Sequence, residues 1–316
     1  MTGTPKPAVC VLGTGLIGGS VLRAAAAAGY EAFGYNRSEV GAKAARLDGY
    51  DVISDVEAVL KRAAERDALI VIGVPMTALD AVLTDVKTFA PDCVLTDVIS
   101  IKAPVAAAVK QHELANHYVG GHPMAGTNES GWAASSPDLF KQAAWAVSVD
   151  PGVKADQFRR VARLALDCGA VVVPVLAVEH DRAVARISHL PHVLAEALAI
   201  EGTNGGPLAL GLAAGSFRDG TRVAATAPDL VRAICEPNAA ALLDVLDDTL
   251  EVLTEARDRL RRDGTLTELV EAGHDGRTDY DDHQRWTITD VRPGDHNWLT
   301  KLIDAGRSGG VIDALD

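Results

Sequence analysis

Aromatic residues make up only 4% of the chain, and cysteine occurs four times in 316 residues. No apolar run approaches the roughly 20 residues that cross a bilayer. The alanine-rich stretch "AAAAAG" at 24 to 29 is too short, and "MTGTPKP" at 1 to 7 lacks the apolar centre of a signal peptide. The cysteines, Cys10, Cys93, Cys168 and Cys235, are too scattered for a CxxC metal site or a disulfide framework. These absences read as a soluble, reduced, cytoplasmic protein with no metal and no membrane partner. Net positive charge is absent too: at −13 the surface repels nucleic acid and anionic lipid, which leaves small molecules as partners.

What is present is 48% hydrophobic residue in a length that suits two domains, each burying its own core. The first half alternates short, nearly all-apolar runs with Ala-rich helical stretches: "AVCVL" (8 to 12), "EAFGY" (31 to 35), "ALIVIGV" (68 to 74), "CVLTDV" (93 to 98), "YVGGH" (118 to 122), "WAVSV" (145 to 149) and "AVVVPV" (170 to 175). Strands apolar on both faces belong to a parallel sheet covered by helices on each side. The fold class is therefore α/β, with a Rossmann-type doubly wound sheet over 1–175. From 176 to 316 the texture becomes helical, as in "LLDVLDDTLEVLTEARDRL" (242 to 260), and predicts an all-helical domain. "HDGRTDYDDHQRW" (274 to 286) reads as a polar connection to a short tail.

"VCVLGTGLIGGS" sets Gly13, Gly15 and Gly18 in the GxGxxG pattern, directly after a strand and opening a helix. Such a loop turns tightly at its first glycine, lets backbone approach a pyrophosphate at its second and packs helix on strand at its third. Leu16 and Ile17 within it, and Val74 and Pro75 at the end of the 68-to-74 run, are further cofactor candidates. The second strand ends in "GYNRS", so Asn36, Arg37 and Ser38 occupy the place of the acid that binds the ribose of NAD. Without that acid a 2′-phosphate is not repelled and Arg37 with Ser38 attracts it, so NADP is the expected cofactor, with NAD accepted.

"YVGGHPMAGT" (118 to 127) puts His122 on a Gly/Pro-rich corner where an apolar run has just ended. That is a poor place to pack a core and a good one to face a ligand.

Five segments, "VLGTGLIGGS", "TDVISIK" (96 to 102), "GGHPMAGT" (120 to 127), "ISHLPHVLAEAL" (187 to 198) and "GSFRDGTRVAATAP" (215 to 228), resemble in order and spacing the prephenate/arogenate dehydrogenase family of tyrosine biosynthesis. The resemblance implies oxidative decarboxylation of a cyclohexadienol, in which hydride leaves C4, the 4-hydroxyl loses its proton and the ring carboxylate departs as CO2. It implies His122 as the base and Ser100 as the hydroxyl that orients the histidine and the substrate alcohol. Arg222 matches the arginine that holds substrate carboxylate, and Arg218 shares its face if the segment is helical. Asp219 is an orienting or gating partner. His192 is the candidate for the ring carboxylate, His189 for orientation, and His180 in "EHDR" for a helix bordering the cleft. Thr127 and Asn128 are assigned to substrate. Asn128 stands where many relatives carry a carboxylate or glutamine, so the choice between prephenate and arogenate stays open, with prephenate favoured.

A dehydrogenase of small hydroxy or imino acids would show a lysine and asparagine pair on a helix of the second domain, and an NADP sensor would not need His122, Ser100 and Arg222 together. The stripe Leu242, Leu246, Leu250 and Leu253 exceeds the needs of a small bundle, and a homodimer through the helical domain is expected.

Overall fold

Every residue of "VCVL" is buried, because the run forms the middle strand of a sheet sandwiched between two cores. The computed structural model describes residues 6–127 and 129–315. Five strand–helix units come first: β1 (Val9–Leu12) and α1 (Leu16–Ala27), β2 (Ala32–Tyr35) and α2 (Glu39–Leu47), β3 (Asp51–Ile53) and α3 (Val56–Glu65), β4 (Leu69–Ile72) and α4 (Met76–Phe89), β5 (Leu95–Asp97) and α5 (Ala103–Gln111). The strands lie parallel in the order β3-β2-β1-β4-β5. Alternation of side chains along a strand divides them between two cores. Val9, Val11, Leu69 and Val71 join the α1 residues Val21 and Leu22, while Cys10, Leu12, Ile70 and Ile72 join Leu60, Leu83 and Val86.

After the first sheet come β6 (Gly121–Pro123), β7 (Ala144–Ser148), α6 (Ala155–Asp167) and β8 (Val171–Val175), which form a second sheet of three strands. β8 is parallel to β7, but β6 is antiparallel to it, unlike the all-parallel arrangement expected. The reason is the connection: a parallel return needs a crossover, usually a helix, and the described residues between β6 and β7 supply only the 3₁₀ turn Trp132–Ala134. That loop is pinned by Trp132, which is buried and donates from Nε1 to Asp48 Oδ2 at 2.9 Å, with the Arg23 guanidinium 4.0 Å from its ring.

The helical part comprises α7 (Ala177–Val184), α8 (Leu190–Asn204), α9 (Gly206–Leu212), α10 (Gly215–Gly220), α11 (Pro228–Cys235), α12 (Ala239–Asp263) and α13 (Thr267–Asp282). The "polar connection" is in fact most of α13. Its exposed face carries no apolar periodicity to reveal it, and polar pairs such as Arg277–Asp281 at 2.8 Å support it. β9 (Trp286–Thr287), α14 (Trp298–Arg307) and β10 (Gly310–Val311) complete the chain.

Two units result, Met1–His180 with Trp286–Asp316, and Asp181–Arg285. The boundary lies a few residues past the expected 175, and the tail, grouped above with the helical domain, belongs to the first unit. The cause is apolar: Ile288, Trp298, Leu302, Ala305 and Ile312 enter the same core as Val9 and Val172. Ile312 and Val172 exchange backbone hydrogen bonds of 2.8 and 2.9 Å, and Arg307 pairs with Glu179. All four cysteines are buried free thiols, and burial pushes Cys93 up to about 11 and Cys168 up to about 12. Among the described residues no helix is long and apolar enough to cross a membrane.

Candidate active site

The glycine loop has the form a dinucleotide requires. Gly13 sits at φ +98°, and a Cβ there would lie 2.6 Å from the Gly73 carbonyl oxygen. At Gly18 a Cβ would come within 2.0 Å of the Gly13 oxygen, so α1 packs too close to the turn for any side chain. Gly15 is the opposite case, with nothing within 4 Å of its would-be Cβ. No side chain caps α1, which begins at Leu16 and carries Ile17 in its first turn. An open edge above an uncapped helix start fits an anion. Val74 stands beside Gly13, and Pro75 is the N-cap residue of α4.

At the end of β2, Asn36 is held inside the loop structure. Its Nδ2 donates to Thr14 Oγ1 at 2.9 Å, and its Oδ1 accepts from the Ser38 backbone at 3.0 Å. Ser38 Oγ accepts from Gly41 N at 3.4 Å and caps α2, which leaves its hydroxyl proton to donate elsewhere. Arg37 is exposed, and no ion pair neutralises it among the described residues.

His122 lies on β6, half-buried, with Nδ1 2.9 Å from Nε2 of the buried His180 on α7. The ring partner of His122 is thus His180, which the sequence reading had only placed on a helix near the cleft. Ser100, half-buried just past β5, is not at hydrogen-bond distance from the histidine. The sequence reading also passed over Asp97, Lys102 and Tyr118. Asp97 and Lys102 are buried and ion-paired, the Lys102 ammonium donates to the Gly121 carbonyl at 2.7 Å, and the Tyr118 hydroxyl donates to Asp97 Oδ2 at 2.5 Å. A lysine directly after Val98, Ile99 and Ile101 was the available signal. Thr127 is exposed and accepts from the Glu129 backbone at 3.2 Å, while Asn128 lies outside the described residues.

In the helical unit a π-helical turn, Ala185–His189, runs into α8. His189 is buried, with Nδ1 3.2 Å from the Asn238 amide nitrogen, which also donates to the Asp181 carbonyl at 2.8 Å. With that amide donating, neutral His189 carries its proton on Nε2. His192, one turn further on, keeps a buried Nδ1 without a hydrogen-bond partner among the described residues. Arg218 and Asp219 are on α10, but that helix stops at Gly220, and Arg222 opens a separate 3₁₀ turn, so the continuous helical face expected for the two arginines ends between them. Around the break the Phe217 ring lies over Gly202, and Leu198 lies over Gly220. Arg218 and Arg222 are exposed, and no acid pairs with either among the described residues. Along α12 the apolar stripe splits, with Leu242 buried at 7% while Leu250 and Leu253 are 58% and 48% exposed.

Comparison with known proteins follows this division. Residues 21–174 match the family model described as "Prephenate dehydrogenase, nucleotide-binding domain", and residues 177–272 match "Prephenate dehydrogenase, dimerization domain". Cyclohexadienyl dehydrogenase of Zymomonas mobilis is 33% identical over 260 residues, which cover 79% of this chain and 87% of that protein. Prephenate dehydrogenase of Bacillus subtilis is 31% identical over 262 residues, 80% of this chain and 70% of its own. A crystal structure from Corynebacterium glutamicum, provisionally named a prephenate dehydrogenase, shares 48% identity at a TM-score of 0.93, covering 98% of this chain and 99% of that one.

Proposed function

The chain belongs to the prephenate dehydrogenase family, and from that premise we propose that it oxidatively decarboxylates prephenate to 4-hydroxyphenylpyruvate with NAD(P)+ as hydride acceptor. When bound, the nicotinamide takes the hydride from C4 of the cyclohexadienol. The open edge at Gly15 and the close packing at Gly18 fit the dinucleotide.

The observation that carries the mechanism is the 2.9 Å approach of His122 Nδ1 to His180 Nε2. If His122 donates its Nδ1 proton to His180, its Nε2 keeps a lone pair and accepts the proton of the C4 hydroxyl. The C–H electron pair of C4 leaves as hydride. The bond to the ring carboxylate then breaks, CO2 departs, and its electron pair completes the aromatic ring. Protonated His122 still donates to His180, so the buried partner orients the ring in both states. Ser100 orients the substrate alcohol. In the helical unit, Arg222, aided by Arg218 and His192, supplies the positive charge and donors for substrate carboxylate, with Asp219 as an orienting partner. Thr127 serves the substrate side chain. His189, bonded to Asn238, holds the start of α8.

Following absorbance at 340 nm with prephenate and with arogenate, each with NAD+ and NADP+, tests this reading. Absence of turnover in all four combinations would overturn it, and arogenate turnover alone would replace the substrate by its amino analogue.

Within this reading NADP+ is the preferred cofactor, because the neutral Asn36 and exposed Arg37 stand where an acid would repel a 2′-phosphate. The double change Asn36→Asp with Arg37→Ala is expected to reverse the preference, by about 1 to 3 kcal/mol on the scale of a charge-assisted hydrogen bond. Unchanged kcat/KM ratios for the two cofactors would show that Arg37 faces only solvent.

The helical unit also carries the means of dimerisation, with Leu250, Val252 and Leu253 exposed in sequence on α12. Light scattering is expected to give twice the 33.1 kDa chain mass at micromolar concentration, and the single-chain mass would refute it.

A further inference from the structure

"TDVISIK" runs from the end of β5 to Lys102, the N-cap residue of α5, and it buries both of its charged residues, Lys102 at 1% exposure and Asp97 at 0%. Desolvating an ammonium and a carboxylate is expensive, and apolar residues of the same volume often serve stability as well. The pair is therefore best explained by what it holds. The Lys102 ammonium binds Asp97 and donates to the Gly121 carbonyl at 2.7 Å. Asp97 Oδ2 accepts from the Gly121 N–H at 3.4 Å and from the Tyr118 hydroxyl at 2.5 Å. Both backbone polar groups of Gly121 thus end on one buried ion pair, and Gly121 is the residue immediately before His122.

The glycines make this grip close. A Cβ on Gly121 would stand 2.7 Å from the Asp97 carbonyl oxygen and 2.9 Å from Thr96 Oγ1. On Gly120 it would stand 2.7 Å from Ser148 Oγ and 3.0 Å from the Tyr118 hydroxyl. With no side chain on either residue, the strand rests directly on the charged pair. The carbonyl of Gly121 belongs to the peptide plane that ends at the His122 Cα, so fixing its direction fixes the backbone entering His122, and pairing of β6 with β7 constrains how the Cα–Cβ bond leaves it. His180, bonded at Nδ1, then fixes the rotation of the imidazole.

We propose that Asp97, Lys102 and Tyr118 form a positioning device for His122, with Lys102 acting through the Gly121 carbonyl and not on the substrate. The proposal rests on the assignment of His122 as proton acceptor. A displacement of about 1 Å at a reacting group costs on the order of 100-fold in rate, so a loosened grip should appear in kcat.

The test compares kcat, both KM values and the thermal midpoint of Lys102→Met, the double variant Asp97→Asn with Lys102→Met, Tyr118→Phe and His122→Asn. Lys102→Met leaves an unpaired buried carboxylate and should lower both midpoint and kcat. The double variant carries neither charge, so its midpoint should recover towards the wild-type value. Its kcat should stay about 10- to 100-fold down with KM values within about threefold, because the Gly121 carbonyl has still lost its donor. Tyr118→Phe removes one of the donors to the Asp97 carboxylate and should lower kcat by about 3- to 10-fold, because Lys102 and the Gly121 N–H still hold that group. Recovery of kcat together with the midpoint in the double variant would overturn the proposal, as would a rise in KM at constant kcat. Should the lysine variants fail to fold, a wild-type kcat in Tyr118→Phe overturns it equally. Near-normal kcat in His122→Asn would instead remove the base assignment, whereas collapse of that variant beside an unaffected double variant sinks the positioning device alone.

Discussion

Replacing His122 by asparagine is expected to lower kcat by about 10²- to 10⁴-fold, the range for loss of a general base, with little change in cofactor affinity. Asparagine can keep a polar contact with His180 but has no basic nitrogen for the substrate hydroxyl. The cofactor loop is at the β1–α1 turn, and the substitution leaves its glycines unchanged. Steady-state rates at 340 nm, alongside cofactor binding followed by calorimetry, separate the two effects. A variant within tenfold of wild-type kcat would take His122 out of the chemistry.

The second large effect is expected in binding. Arg222→Gln keeps a polar side chain but is shorter and removes the charge and the guanidinium fork, and a charge-assisted pair to carboxylate contributes about 2 to 3 kcal/mol. At tenfold per 1.4 kcal/mol, that is a KM increase of roughly 30- to 150-fold for the dienol substrate. Folding stability should move by no more than about 0.5 kcal/mol, because Arg222 is exposed and no acid pairs with it among the described residues. An unchanged KM would assign the carboxylate to another residue, with Arg218 and His192 the next to be changed.

The parts of the fold that could be read from the sequence are those where one local pattern has one physical cause. β1 and β4 are apolar at every position because both faces are covered, and the glycine spacing reports the turn at Gly13 and the close packing at Gly18. β3 escaped notice because three residues with an exposed Asp51 at an edge carry no pattern. The direction of β6 depends on how the chain returns, which strand composition does not encode. In the site, His122 stood out through its Gly/Pro surroundings. Its partner His180 is 58 residues away, and the Tyr118 hydroxyl meets Asp97 across 21 residues. Such contacts follow from strand order and register, so composition at either end could not announce them. Lys102 was hidden for a further reason: a lysine in an amphipathic stretch usually marks the solvent side, and here it marks the interior.

The return of residues 286–315 to the first unit bears on how the chain acquires its structure during synthesis. When residue 180 has emerged, the Rossmann half still lacks Trp298, Leu302 and Ile312 from its core, and the Val172 backbone groups of β8 have no partner on that side. Unpaired strand edges are adhesive. The whole of Asp181–Arg285 must pass before those groups arrive, a delay on the order of ten seconds at common translation rates. The helical unit is contiguous and can be completed within that interval. The half that begins the chain is therefore the last to close, and its vulnerable period is set by the length of the segment inserted within it.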